Sequence, residues 1–349
     1  MFNLDNLLRR NIRTLVPYSS ARDEFKGEAS VFLDANENSL GSPLIKWYNR
    51  YPDPLQMKMK HKLAAIKGLP ASSIFIGNGS DECIDILVRA FCEPAIDNII
   101  ICPPTYGMYE VSAAINDVHV KKVPLTAAFQ LDLPAIADAV DEHTKLIFIC
   151  SPNNPSGNSM NREDVEALLN NYFGIVVIDE AYINFSKYRS FTQELNEYPN
   201  LVVMHTLSKA WGLAALRIGM AFASEAIVQV MNKVKPPYNV SQASQDLAMQ
   251  ALENVEEVNE MIKEIVKERK ELERQLLALP IVLKVYESDA NFLLVKVPDA
   301  RSVYQYLLTR GIVVRDRSKV ELCEGCLRIT VGTREENNKL LQAINAFQV

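Results

Sequence analysis

Short apolar runs recur along the first two thirds of the chain, and most lead into a segment with helical spacing. Residues 73–76, 98–102, 118–123, 145–150, 174–178, 201–205 and 216–222 read as strands. Between them, residues 81–91, 106–114 and a segment opened by Asn161 carry helical periodicity. Asn161 suits an N-cap, and acidic residues occupy the first turn after it. Runs that are apolar throughout, rather than alternating, belong to strands covered on both faces. The pattern predicts an α/β fold, with a mostly parallel sheet between two helical layers.

The texture changes near Ser241. A charged amphipathic stretch over 242–277 predicts two helices or one bent one. Beyond it, 281–286, 292–297, 312–314 and 327–331 read as strands, and 302–309 and 335–347 as helices. These pieces predict a smaller α+β domain. Residues 1–30 are too few for a core of their own and are expected to dock onto another part of the fold.

Composition narrows the function. The chain has 349 residues, 48% of them hydrophobic, enough for two or three domains at about 100–200 residues each. Lys+Arg is 37 and Asp+Glu is 43, a net charge of −6. That balance argues against a dedicated nucleic-acid binder and for small-molecule or subunit partners. No run of about 18 apolar residues offers a membrane helix. The opening MFNLDNLLRRNIRTL is amphipathic but lacks the apolar core and cleavage site of a signal peptide. Four cysteines, Cys83, Cys92, Cys102 and Cys150, sit in apolar or helical contexts. Cys323 and Cys326 form one CxxC, but a zinc site needs two more ligands and no second CxxC exists. The four histidines show no metal spacing, so no metal is expected. The chain reads as a protein of a reducing compartment.

Four segments carry candidate chemistry: GNGSDE at 77–82, SPNNPSG at 151–157, VIDEAY at 177–182 and HTLSKAWGLAALRIG at 205–219. Each follows a predicted strand, and open α/β sheets place ligands at strand ends. A lone lysine in a turn is more often solvent-facing, and an aspartate at a strand end more often caps a helix. Their company here changes the reading. Lys209 has Thr206, Ser208 and Arg217 nearby, three suitable phosphate ligands. A partly desolvated amine among cations forms Schiff bases readily. Lysine plus a phosphate cradle is what pyridoxal phosphate requires. Asp179 then gains a purpose, because a carboxylate facing the pyridine nitrogen keeps it protonated. Gly79 and Ser80 open a helix and offer an anion site or a simple turn. Asn154 lies in a Pro-Asn-Asn-Pro turn that aims an amide at a ligand hydroxyl or merely bends the surface. Neither GxGxxG nor a Walker sequence is present, so nucleotide binding finds no support.

Taken in order and spacing, these motifs resemble the fold-type I aminotransferases that use pyridoxal phosphate, and among them the histidinol-phosphate branch. DANENSLG at 34–41, RYPDP at 50–54, CPPTYGMY at 102–109, VIDEAYINF at 177–185, PPYNVS at 236–241, SDANFLLV at 288–295 and LRITVGTREEN at 327–337 extend the likeness over nearly the whole chain. The resemblance implies a three-layer αβα large domain over 36–255 and a small domain from 1–35 and 256–349. It implies a cytoplasmic homodimer with shared active sites, acting on a phosphorylated amine and a 2-oxo acid. Lys209 matches the Schiff-base lysine, Asp179 the partner of the pyridine nitrogen, and Tyr182 and Asn154 the ligands of the ring hydroxyl. Lys209, Asp179 and Tyr182 form the implied catalytic set. Tyr106 matches the aromatic stacked on the ring. Gly79, Ser80, Thr206, Ser208 and Arg217 match the phosphate cradle, and Tyr51 the residue that reaches the phosphate from the other subunit. Tyr18, Asn36, Arg315 and Arg328 match substrate ligands. Three departures stand out: Ser156 where threonine is usual, Ala215 where glycine is usual, and Ser39-Leu40-Gly41 in place of proline-aromatic-glycine.

Overall fold

Seven strands form the central sheet of the computed structural model, which describes residues 2–18 and 31–347. They are β1 (Ile74–Asn78), β2 (Asn98–Ile101), β3 (His119–Lys122), β4 (Thr144–Cys150), β5 (Ile175–Asp179), β6 (Leu201–Thr206) and β7 (Ile218–Ala223). Their spatial order is β1-β7-β6-β5-β4-β2-β3. The pairs β2–β3, β2–β4, β4–β5 and β5–β6 are parallel. β7 runs against both of its neighbours, β1 and β6. The sheet is therefore mostly parallel, as the apolar runs predict, with one reversed strand.

Alternation along each strand divides the core in two. Ile74, Ile76, Ile147, Ile149, Val176, Ile178 and Val203 face one side, under the helices Met57–Lys67, Arg162–Asn171 and Gln242–Ala251. Phe75, Leu146, Phe148, Ile175, Val177, Val202 and Met204 face the other, under Ser80–Phe91, Met108–Ile115 and Glu225–Val234. Each such side chain contributes about 1.5–3 kcal/mol on leaving water. Both faces are covered, which is why these strands carry almost no polar residue until their carboxyl ends.

A second sheet of four strands, β8 (Lys284–Val285), β9 (Phe292–Lys296), β10 (Arg315–Asp316) and β11 (Cys326–Thr330), has the order β10-β11-β9-β8 and is antiparallel throughout. Leu272, Leu293, Val295, Leu307, Leu327, Ile329 and Ile344 form its core with the helices Val255–Leu277, Ala300–Thr309 and Arg334–Asn345. The last helix opens with a capping box between Thr333 and Glu336.

Several sequence expectations need correction. The 242–277 stretch is two helices, Gln242–Ala251 and Val255–Leu277. The strand expected at 312–314 lies one step later, at Arg315–Asp316, because Val314 is apolar for core packing and not for ladder pairing. The strand expected over 281–286 shrinks to two residues, with Leu283 exposed. Asn161 stands at the N-cap, yet its side chain makes no capping bond; its amide donates to Asp164. The amino-terminal residues dock on the large sheet's helices, not on the four-stranded sheet. Phe2, Leu4, Leu7 and Leu8 pack on the Phe75 side, and Lys233 Nζ donates to Ile12 O at 2.7 Å. Residues 19–30 of the expected small-domain segment lie outside the described residues. Among the described residues, no helix is long and apolar enough to cross a membrane, and no group of three or more metal-ligating side chains occurs. All six cysteines are free and buried.

Candidate active site

The carboxyl ends of β4, β5 and β6 open into a cavity of about 150 Å³. Ser80, Tyr106, Asn154, Asp179, Tyr182, Thr206, Ser208, Lys209 and Arg217 all line it, from six separate chain segments. A larger hollow of about 500 Å³ lies around Arg162, Arg189 and Phe191 and holds none of them.

Asp179 ends β5 on the cavity floor and is almost wholly buried. Its Oδ2 accepts from Tyr109 Oη at 2.7 Å and its Oδ1 from Ala181 N at 3.1 Å. Among the described residues it makes no ion pair. Burial pushes its pKa up to about 6, against the pull of those two donors. A buried carboxylate with only neutral partners is an electrostatic deficit, and a cation entering from the cavity would meet it. Tyr109 was not singled out from the sequence. It is fully buried, stacked on Phe148 at 4.8 Å and edge-on to Tyr106 at 5.6 Å.

Lys209 follows β6, and its side chain is open to the cavity. Desolvation by the walls lowers its pKa, and the guanidinium groups of Arg328 and Arg217 lower it further; Asp179 opposes them. Its Nζ stands 5.7 Å from the centre of the Tyr182 ring. Tyr182 is buried against Phe292 of β9, and burial raises its hydroxyl pKa.

The rim opposite is an anion cradle. The helix Ser80–Phe91 starts there, so its first backbone N–H groups lack helical partners. Arg217, in the left-handed region at φ +55°, turns its Nη1 to Ser208 Oγ at 3.5 Å and Ala214 O at 3.1 Å. Ser208 N donates to Thr206 Oγ1 at 3.1 Å. Two glycines make this closeness feasible. A Cβ at Gly219 would lie 2.1 Å from Ser80 N, and one at Gly79, where φ is +82°, would lie 2.6 Å from Arg217 Nη2. Asp81, another residue not singled out, bridges the rim: it accepts from Tyr106 Oη at 2.9 Å and from Arg217 Nη2 at 3.4 Å.

The small domain closes one side. Arg328 on β11 donates through Nη1 to Asn154 Oδ1 at 2.5 Å, and its register partner on β10 is Arg315. Ser156 serves the turn itself: it accepts from Asn153 Nδ2 and donates to Asn158 Oδ1. The hydroxyl is what the turn needs, so serine suffices there.

Three expected site residues stand apart from the cavity. Tyr51 stacks on Tyr238 at 4.5 Å and, with Asn36, lines a separate hollow. Tyr18 is exposed.

Comparison with known proteins bears on the same arrangement. The model of the family "Aminotransferase class I and II" matches residues 39–344. A histidinol-phosphate aminotransferase from Cytophaga hutchinsonii is 56% identical over 346 residues, covering 99% of each chain. One from Parabacteroides distasonis is 56% identical over 349 residues, covering 100% of each. The crystal structure of the histidinol-phosphate aminotransferase from Clostridium acetobutylicum superposes with a TM-score of 0.79 over 85% of this chain and 90% of that one, at 24% identity. This chain belongs to the class I and II aminotransferase family, on its histidinol-phosphate aminotransferase branch.

Proposed function

We propose that the chain transfers an amino group reversibly between L-histidinol phosphate and 2-oxoglutarate, in histidine biosynthesis, with pyridoxal phosphate held in this cavity. One observation carries the reading. A buried carboxylate without a cation, an amine of lowered pKa and an anion cradle line a single cavity of about 150 Å³. That donor set fits a phosphorylated pyridine aldehyde. Ser80, Thr206, Ser208 and Arg217 hold the phosphate, Tyr106 covers the ring, and Tyr182 and Asn154 take the ring hydroxyl. Bound pyridoxal phosphate supplies the carbon that carries the amino group and a ring that accepts electrons.

The remaining steps fall to the chain's own side chains. Asp179 holds a proton on the ring nitrogen, because in its apolar surroundings a neighbouring cation is the strongest available partner. Lys209 Nζ moves the proton from the substrate carbon. Its lowered pKa enlarges the neutral, proton-accepting fraction at neutral pH. Arg328 and Arg315 grip the anionic end of either substrate through paired donors.

The large domain spans 36–255 and the small domain 256–349, with the amino-terminal segment docked on the large one. Tyr51 reaches the phosphate of a second subunit in a homodimer, and Tyr18 and Asn36 bind the substrate. Leu40, Leu44, Ile45 and Trp47 support this, since four large apolar side chains are exposed within the eight residues 40–47, a few positions before Tyr51. Six free thiols suit the cytoplasm.

The test is an absorbance titration of the holoenzyme. L-Histidinol phosphate should bleach the visible cofactor band and 2-oxoglutarate should restore it. An unresponsive band sinks the substrate assignment. Release of carbon dioxide would move the chain to the threonine-phosphate decarboxylases, and bleaching only by aromatic amino acids to the aromatic aminotransferases. No band after loading with pyridoxal phosphate would sink the enzyme itself.

A further inference from the structure

The small domain carries a third arginine beside Arg315 and Arg328, near the cavity-lining Tyr182. In the antiparallel ladder Arg315 lies opposite Arg328, and Asp316 opposite Leu327. The pairing runs one residue further, because Arg317 N donates to Cys326 O at 2.9 Å. Alternation then puts Arg317 on the same face as Arg315 and Arg328, and makes it the diagonal neighbour of Arg328.

Among the described residues this third guanidinium donates no hydrogen bond. Its Nε is buried without a hydrogen-bond partner, and among the described residues its side chain makes no ion pair. Asp316 next to it is engaged by Ser318, whose N donates to Oδ1 at 2.8 Å. Among the described residues Arg315 and Arg328 make no ion pair either; Arg328 donates to the neutral Asn154 and lies over the Phe292 ring at 5.3 Å. Burial and the charge of Arg315 depress the pKa of Arg317, with Cys323, Tyr182 and Asp316 opposing, so it stands within electrostatic reach of both the cluster and the cavity wall. Three guanidinium groups crowded together around the one carboxylate of Asp316 repel one another unless a further anion joins them.

The anionic groups that the two substrates offer this cluster differ. A carboxylate carries one negative charge. A phosphate monoester carries about 1.5–2 at pH 7 and three acceptor oxygens. Two guanidinium groups suffice for the first, and the second has room for a third.

We propose that Arg317 is a specificity residue which adapts this pocket to a phosphate monoester rather than to a carboxylate. Resting on the substrate reading above, it assigns the Nη groups of Arg317 to the phosphate oxygens. Arg315 and Arg328 remain common to both substrates.

The test compares wild-type holoenzyme with Arg317→Gln and Arg317→Lys. A charge-assisted hydrogen bond corresponds to about tenfold or more in affinity. Arg317→Gln should therefore raise the KM for L-histidinol phosphate at least tenfold relative to the KM for 2-oxoglutarate. Calorimetric binding of inorganic phosphate should weaken by a similar factor, and Arg317→Lys should recover part of both. An equal rise in both KM values, or an unchanged ratio with unchanged phosphate binding, overturns the assignment. So does a loss of melting temperature that accompanies an equal loss on both substrates. If wild type fails to convert L-histidinol phosphate, the substrate reading falls on that result alone. Phosphate binding to the variants then still decides the role of Arg317.

Discussion

Asp179 and Glu180 are consecutive, both carboxylates and both buried, yet they live in opposite surroundings. Asp179 faces the cavity with two neutral donors. Glu180 faces the other side of the sheet, where Phe191 N donates to Oε1 at 2.8 Å and Ser190 Oγ and His205 Nε2 reach Oε2 at 2.5 and 2.8 Å. Burial lowers the pKa of His205, so its imidazole is neutral and donates. Three donors from two elements complete Glu180; Asp179 is left to be completed from outside. The pair shows how one strand end separates duties. One carboxylate closes the fold, and the next one waits for a ligand.

That comparison can be broken by substitution. The largest effect belongs to the cavity. Lys209→Ala should lower kcat on the order of 10⁴-fold, since it removes the proton-transfer group, and leave the melting temperature nearly unchanged. Single-turnover kinetics with a melting curve check both halves.

Asp179→Asn should lower kcat by about 10²–10³-fold, the scale of losing one well-placed electrostatic partner. Its effect on cofactor-free stability has the opposite sign. The folded pKa of Asp179 is raised from 3.8 to about 6. Its contribution is therefore fully present below the unfolded pKa and is lost as pH rises through about 6. Between those limits wild type should lose on the order of 3 kcal/mol relative to the variant. Denaturant titrations of both apoproteins at pH 4, 5, 6 and 7 measure the difference, and parallel curves would refute it.

Glu180→Ala reverses the pattern. It strands Ser190, His205 and the Phe191 N–H, and should cost about 2–3 kcal/mol of stability. If kcat falls as far as in Asp179→Asn while the melting temperature holds, the division between the two faces is wrong.

The smallest effect is expected from Tyr109→Phe, which removes one donor to Asp179 Oδ2. Cofactor affinity should drop about tenfold or less, and the pKa of Asp179 should rise further. Equilibrium dialysis of pyridoxal phosphate reads the first and the stability–pH curve the second.

The sheet was legible because most of its strands are apolar on both faces; the edge strand β3 is the exception, and β9 of the second sheet shares the texture. Lys209, Asp179 and Asn154 were legible because strand-end polar residues interrupt it. Other features depend on distant pairing. The helix Met57–Lys67 carries lysines among its apolar positions, and Lys60 is itself buried, so its sequence shows little amphipathic stripe. Tyr109 sits in the first turn of the helix Met108–Ile115, and only its contact with the end of β5 shows what it touches. Asp81 lay inside a quoted motif; its partners Tyr106 and Arg217 are 25 and 136 residues away. The reversal of β7 was hidden too, because an apolar run has no direction.

That reversed strand has a further consequence. Gly219 pairs with Gly77 on one side and with Thr206 on the other. The two lips of the anion cradle are thus threads of one zip, meshed through a single residue. Sliding β7 by one position would turn its own side chains over and change its pairing with both lips together. Anyone reshaping this cradle for a different cofactor must diversify 77–80, 206–208 and 217–219 as one block, because no segment of the three can be retuned while the others stay as they are.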